Sequence, residues 1–273
     1  MSDSLEVFTD MSNETYHGRK SHVSRSQASR YRGVRGGRAQ RYEEVKGGKL
    51  FEGNAGTSFG TLVDVAFEAE ARGLDWRSRC AVAPPEVLTS NGQRRGNAFA
   101  AWKESLPPGA LECSVADFVK VADIIESLKE HKIARQLLES IKHTQYSVFW
   151  KDEDGHDRKA RPDGLNDDEW FDLKTTSSEF SKLKYSFREF AYDWQAAWYL
   201  DSAIAAGWKP FRFRFIVVQT FAPYDVAVFS LEDEAIENAR HEIRKTLADM
   251  KHRRETGVYV PDQYHAEQVL ELG

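Results

Sequence analysis

Residues 159–176 read Lys159-Ala160-Arg161-Pro162-Asp163-Gly164, then a polar interval, then Trp170-Phe171-Asp172-Leu173-Lys174-Thr175-Thr176. The second segment alternates as a strand does. Phe171 and Leu173 fall on one face, and Asp172 and Lys174 on the other. The apolar pair would enter a core and the charged pair would face a cleft. Arg161-Pro162 keeps the chain extended just before Asp163. Asn166-Asp167-Asp168 is a turn signal. Asp163 therefore ends one strand and lies across a short turn from Asp172. Two carboxylates aimed at one point repel each other unless a cation lies between them. A divalent ion held in this way, with a lysine beside it, is equipped for chemistry at a phosphate. The same spacing also describes a surface ion pair, Asp172 with Lys174, and a turn-forming Asp163.

Outward from this centre, residues 146–150 predict a strand and Asp152-Glu153-Asp154-Gly155 a hairpin turn. Residues 157–162 and 169–175 predict the next two strands. The pattern then predicts a long helix over 187–206, strands over 211–220 and 225–229, and a charged amphipathic helix over 231–255. Upstream, helical spacing covers 57–72, 98–104, 114–128 and 132–141, with a serine-capped helix near 24–31. Glycines and mixed charge predict a loop over 33–56. The expected architecture is one α/β domain with a mostly helical N-terminal portion. Residues 1–22 are expected to be a flexible segment and 23–273 a single domain.

Composition excludes several classes. With 273 residues, 41% hydrophobic content, seven tryptophans and sixteen phenylalanines, the chain can bury a sizeable core and is not a disordered chain. Two cysteines, Cys80 and Cys113, are too few for a four-cysteine zinc or iron–sulfur site and are expected to be reduced and buried. The net charge of −5 neither requires nor forbids a nucleic-acid partner. Nothing near the start reads as a signal peptide, and no stretch reads as a membrane span, so a cytoplasmic location without membrane association is expected.

Further candidates lie around the two acids. Tyr192 and Gln195 are three apart on the following helix and share a face. Thr175 and Thr176 offer hydroxyls. His131 and His143 read as cap or surface residues. Arg212 and Arg214 share a strand face, where solvation is the simpler reading than contact with a nucleic-acid backbone, and Arg94-Arg95 lies in a turn-rich segment.

The run ending at Asp163, the Asp172-Leu173-Lys174-Thr175-Thr176 run, and Tyr192-x-x-Gln195 followed by Ala196-Ala197-x-Tyr199 together resemble RecE-type, exodeoxyribonuclease VIII-like PD-(D/E)XK nucleases. Lambda exonuclease is a more distant relative of the same pattern. The segments Met11-Ser12-Asn13-Glu14-Thr15-Tyr16, Val23-Ser24-Arg25-Ser26 and Gly56-Thr57-Ser58-Phe59 fit the same resemblance, which covers most of 11–260. It implies a restriction-endonuclease-like central mixed sheet flanked by helices, and a metal-dependent exonuclease, 5′→3′ on linear double-stranded DNA, leaving 3′ single strands for recombination and repair. Mg2+, replaceable by Mn2+, would be held by Asp163, Asp172 and the backbone carbonyl of Leu173. Lys174 would steady the attacking water, with Gln195 and Tyr192 in support. Double-stranded DNA ends, a single-strand annealing protein and a homo-oligomeric ring are the implied partners. Two positions depart from the pattern. Gly60 stands where such proteins carry a metal-binding histidine, and Gln145 where they carry a glutamate. Asp64, one turn after Gly60, is a candidate replacement ligand, Gln145 a weaker one. Asp64 and Glu68 also read as ordinary solvated helix residues. The departures keep two alternatives open: a weakened or inactive DNA-binding relative, and an endonuclease of the same superfamily.

Overall fold

A computed structural model describes residues 5–50, 55–209 and 212–260. In chain order the elements begin β1 (Glu6–Phe8), α1 (Asn13–Gly18), β2 (Val23–Ser24), α2 (Arg25–Arg30), α3 (Gly33–Gln40) and α4 (Ala55–Ala71). Next come β3 (Cys80–Val82), α5 (Asn97–Glu104), β4 (Leu111–Cys113), α6 (Val115–Glu130), α7 (Lys132–Glu139) and β5 (His143–Thr144). The remainder is β6 (Ser147–Lys151), β7 (Asp157–Ala160), β8 (Gly164–Leu165), β9 (Glu169–Thr176), α8 (Leu183–Glu189), α9 (Tyr192–Ala205), β10 (Arg212–Gln219), β11 (Val226–Phe229) and α10 (Asp233–Thr256).

β9 is the middle strand of a five-stranded sheet ordered β11-β10-β9-β8-β5, parallel to β10 and antiparallel to β8. The parallel pairing requires a crossover, which α8 and α9 supply. β9 is buried on both faces. Trp170 packs with Trp194 and Trp198 of α9, Phe213 and Phe215 of β10, and Ile243 and Leu247 of α10. Phe171 and Leu173 pack on the other side with Leu62 and Phe67 of α4, Val121 and Ile125 of α6, and Leu137 of α7. Each such side chain contributes about 1.5–3 kcal/mol on burial. A one-residue slip of β9 would drive Asp172 and Lys174 into the α4 side, so the register is firmly set.

Most elements fall where the sequence predicts them, and the mixed α/β architecture is the expected one. Four differences have physical causes. The predicted hairpin of β6 and β7 belongs to a second sheet, ordered β1-β6-β7-β2, and the two-residue β8 intervenes before β9. β8 can approach β9 because Gly164 lies against the Phe171 ring, where a β-carbon would overlap it. The predicted loop at 33–56 begins as helix α3, continued by a π-helical turn at Arg41–Val45. Its glycines serve contact: a β-carbon on Gly36 would meet the Tyr31 carbonyl, and one on Gly37 the Tyr259 carbonyl. The predicted helix at 187–206 is two helices, broken where Ala191 turns left-handed (φ 51°). Finally, residues 5–22 contribute β1, paired with β6, and α1, which buries Tyr16. Residues 1–4 of the expected flexible segment, and Phe211 of the predicted strand, lie outside the described residues. Cys80 and Cys113 are free and buried on neighbouring parallel strands. Among the described residues no helix is long and apolar enough to cross a membrane.

Candidate active site

β8 pairs with β9 only at Gly164 with Phe171 and Leu165 with Trp170. Past that point β9 has an open edge, and Asp163 occupies it. The N–H of Leu173 donates to Asp163 Oδ2 at 2.8 Å. Gln145 Nε2 donates to Asp163 Oδ1 at 3.2 Å, and the Gln145 N–H to the Asp163 carbonyl at 3.3 Å. Gln145 achieves this from a left-handed backbone (φ 51°) between β5 and β6. Asp172, only 3% exposed, is ion-paired with Lys174. The Lys174 ammonium lies 5.4 Å from the centre of the Tyr192 ring, which stacks on Phe215 at 5.3 Å.

The cluster is over-supplied with negative charge. Burial, then Asp172 and Asp64, holds the Asp163 carboxyl well above its usual range, against the opposing pull of Lys174 and the Leu173 N–H. Burial also pushes Asp64 up to about 7, with Asp172 and Glu68 adding to it and Lys174 resisting. Burial alone would lower Lys174, but Asp172, Asp163 and Tyr192 outweigh it and keep the ammonium charged. Asp163, Asp172 and Lys174 thus converge, and α4 brings Asp64 into their field. A β-carbon on Gly60, one turn earlier, would lie 3.4 Å from Thr175 Oγ1 in otherwise open space. Glu68 is ion-paired with Arg72.

Gln195 is placed differently from expectation. It is 2% exposed, and its Oε1 accepts from Arg25 Nη2 at 3.0 Å. Arg25 also donates to the Phe190 carbonyl at 3.0 Å. Gln195 therefore orients Arg25, while Tyr192 alone lies under Lys174. The other basic candidates are structural: Arg212 and Arg214 engage Glu169, Arg94 faces Glu112, and His131 caps α7. His143 packs edge-on against Trp208.

Sequence reasoning missed an adjoining pocket of about 240 Å3, lined by Tyr16, His17, Ser24, Arg25, Gln145, Lys159, Arg161 and Tyr199, among others. Burial, with Arg161 and Arg19 nearby, pushes Lys159 down to about 8. Burial raises the Tyr199 phenol well above its usual range. The available signal was the alternation of Lys159 and Arg161 just before Asp163, which puts both cations on the side of the acid.

The donors suit a hard divalent cation. They are oxygens, and three carboxyl groups face the single Lys174. Among the described residues no three His, Cys, Asp or Glu side chains stand close enough to enclose a metal. Mg2+ does not require that, since it binds through one or two carboxylates and keeps several waters. Asp163 and Asp172 fit that pattern, with the Leu173 carbonyl and Gln145 as neutral supplements.

Mixed sheets under helices, with an acid, a turn and an acid-x-lysine strand at the open edge, define a PD-(D/E)XK-like domain. The chain belongs to the family described as PDDEXK-like domain of unknown function (DUF3799), whose profile matches residues 28–264. A provisionally designated exonuclease from Eubacterium rectale shares the fold, with TM-score 0.61 at 16% identity over 97% of this chain and 96% of that one. The alkaline exonuclease LHK-Exo from Laribacter hongkongensis aligns at 14% identity over 73% of this chain and 94% of its own, with TM-score 0.32. No curated protein matches the chain in sequence.

Proposed function

We propose that this chain is a metal-dependent deoxyribonuclease of the RecE-like kind, formed as a single nuclease domain and acting at the ends of linear double-stranded DNA. The observation that carries the reading is the surplus of carboxyl groups over lysine at the open edge of β9, with Asp172 buried and Asp163 and Asp64 half-buried. Asp163 and Asp172 would hold Mg2+ or Mn2+, with the Leu173 carbonyl, Asp64 and Gln145 as supplements. Such an ion, when bound, lowers the pKa of a water and neutralises charge growing on the phosphate. Lys174 donates a hydrogen bond to the attacking water and stabilises the hydroxide as its proton leaves. Tyr192 packs beneath the ammonium and keeps it over the site. Gln195 fixes Arg25, whose guanidinium lines the adjoining pocket with Arg161 and Lys159. Arg25, half-buried on the lining of that pocket, puts a cation next to the acids, and this favours an end-acting enzyme because a terminal phosphate has a place there. The 5′→3′ polarity, the ring, an annealing partner and a role in recombination rest on the resemblance alone.

A second reading is favoured by Gly60 and Gln145: a DNA-binding relative with weakened or no catalysis. Incubation with linear and closed circular duplex in Mg2+ and in Mn2+ separates the possibilities. Loss of linear DNA with circles intact is the expected result. Cutting of circles indicates an endonuclease, and binding without cutting in either metal overturns the catalytic reading.

A further inference from the structure

α8 lies between the strand that carries Lys174 and the helix that begins at Tyr192. It buries Leu183 and leans Phe187 against Phe215 at 5.2 Å and Phe229 at 5.9 Å. That much anchors it. The rest of the segment is unusual for a helix that only bridges two elements. Tyr185 is 62% exposed and Phe190 51% exposed. Lys182, Lys184 and Arg188 are also exposed, against a single acid, Glu189, in the same stretch. None of the three cations makes a salt bridge with a carboxylate among the described residues. Lys184 and Arg188 are four apart on α8 and share its outer side with Tyr185, and the Lys184 ammonium lies 5.2 Å from the Tyr185 ring. Phe190 continues this surface to the candidate site. Its ring is 5.9 Å from that of Tyr192, which carries Lys174. The position of Phe190 is built, not incidental: Arg25 grips its carbonyl, and the left-handed Ala191 turns the chain there.

We propose that residues 181–190 form a docking platform for unpaired DNA bases at the mouth of the site. Tyr185 and Phe190 stack on bases, and Lys182, Lys184 and Arg188 take phosphates of the same strand. Exposed rings next to unpaired cations suit a polyanion whose every unit also presents a flat face. Stacking of this kind tolerates any base, as a nuclease without sequence preference requires. An apolar protein surface would leave the three cations facing nothing. The proposal rests on the nuclease reading for its substrate, but it is read by binding rather than by cleavage.

The test uses the full chain in EDTA, so that no divalent ion is present, with a labelled twelve-nucleotide single strand followed by fluorescence anisotropy. A Tyr185→Ala/Phe190→Ala pair should weaken single-strand binding about tenfold or more. Phe190→Trp should preserve it. Binding to a duplex with hairpin-closed ends should change much less. Lys184→Glu with Arg188→Glu should lower the salt dependence of single-strand binding by roughly 1.4 in log–log slope. Wild-type affinity in the aromatic pair, no single-strand binding by the unmodified chain, or equal losses for single strand and closed duplex would each overturn the platform. Weakened binding by the pair in a protein that cleaves under no condition would uphold it while removing the nuclease reading.

Discussion

Lys159 and Arg161 precede Asp163 by only a few residues, and both groups bury charge, but they resolve it differently. The two cations are fully accommodated. Lys159 donates to the carbonyls of Tyr16 at 2.9 Å and Arg19 at 2.8 Å. Arg161 donates to Ser147 Oγ, Asn13 Oδ1 and the Met11 carbonyl at 2.8, 2.7 and 3.0 Å, with Tyr16 stacked 4.2 Å from the guanidinium. The acids are settled only in part, Asp163 by the Leu173 N–H and Gln145 and Asp172 by Lys174. Asp64, Asp163 and Asp172 share one lysine, and two of them resist ionisation. Buried charge with saturated hydrogen bonds holds a fold together. Buried charge left in surplus marks a place built for something else.

The contrast can be attacked at its strongest point first. Lys174→Ala should reduce cleavage of linear duplex by about 10²–10⁴-fold while Mn2+ still raises the melting temperature. A normal cleavage rate would remove the acid cluster from the chemistry. Next in size, Arg161→Met strands Ser147, Asn13 and the Met11 carbonyl, so urea unfolding should show a loss of about 3 kcal/mol. Asp163→Asn, in the metal-free protein, should cost far less. Equal losses would mean that the two clusters play the same part. A smaller effect is expected from Gly60→His combined with Gln145→Glu. Calorimetric titration should show Mn2+ binding tightened about tenfold, of the order seen for single supporting groups at metal sites. Unchanged affinity would show that neither position faces the ion.

The smallest effect concerns pH. The Asp64 carboxyl sits at about 7 in the fold, above its ordinary value of 3.8. Between those values the folded state keeps a proton that the unfolded chain releases. Stability of the metal-free protein should therefore fall as pH rises from about 4 through about 7, and level off beyond. Asp64→Asn should flatten that slope in melting curves, whereas a slope unchanged in the variant would assign it to Asp163 instead.

Much of the sheet was legible because its signals are local. β9 alternates apolar and charged residues from Phe171 to Lys174, β6 and β7 flank an obvious turn, and α6 and α10 carry helical periodicity. The two-residue strands β2, β5 and β8 carry no such pattern and exist only through their partners. α3 was hidden by its glycines, which read as looseness but permit close packing against Tyr31 and Tyr259. At the site, Asp163, Asp172, Lys174 and Tyr192 could be read from spacing. Arg25 could not be assigned a role, because its partners Phe190 and Gln195 lie 165 and 170 residues away.

By itself the sequence determined which residues are candidates for the chemistry and that Asp172 and Lys174 share one side of a strand with Asp163 across a turn, since alternation is a property of the backbone. Only the tertiary structure decided that β8 stops after two residues, that Asp163 fills the edge so exposed, and that α4 and α2 deliver Asp64 and Arg25 to the same place. Those outcomes depend on which surfaces can approach one another, and such approach is set by packing between distant segments rather than by any window of the chain.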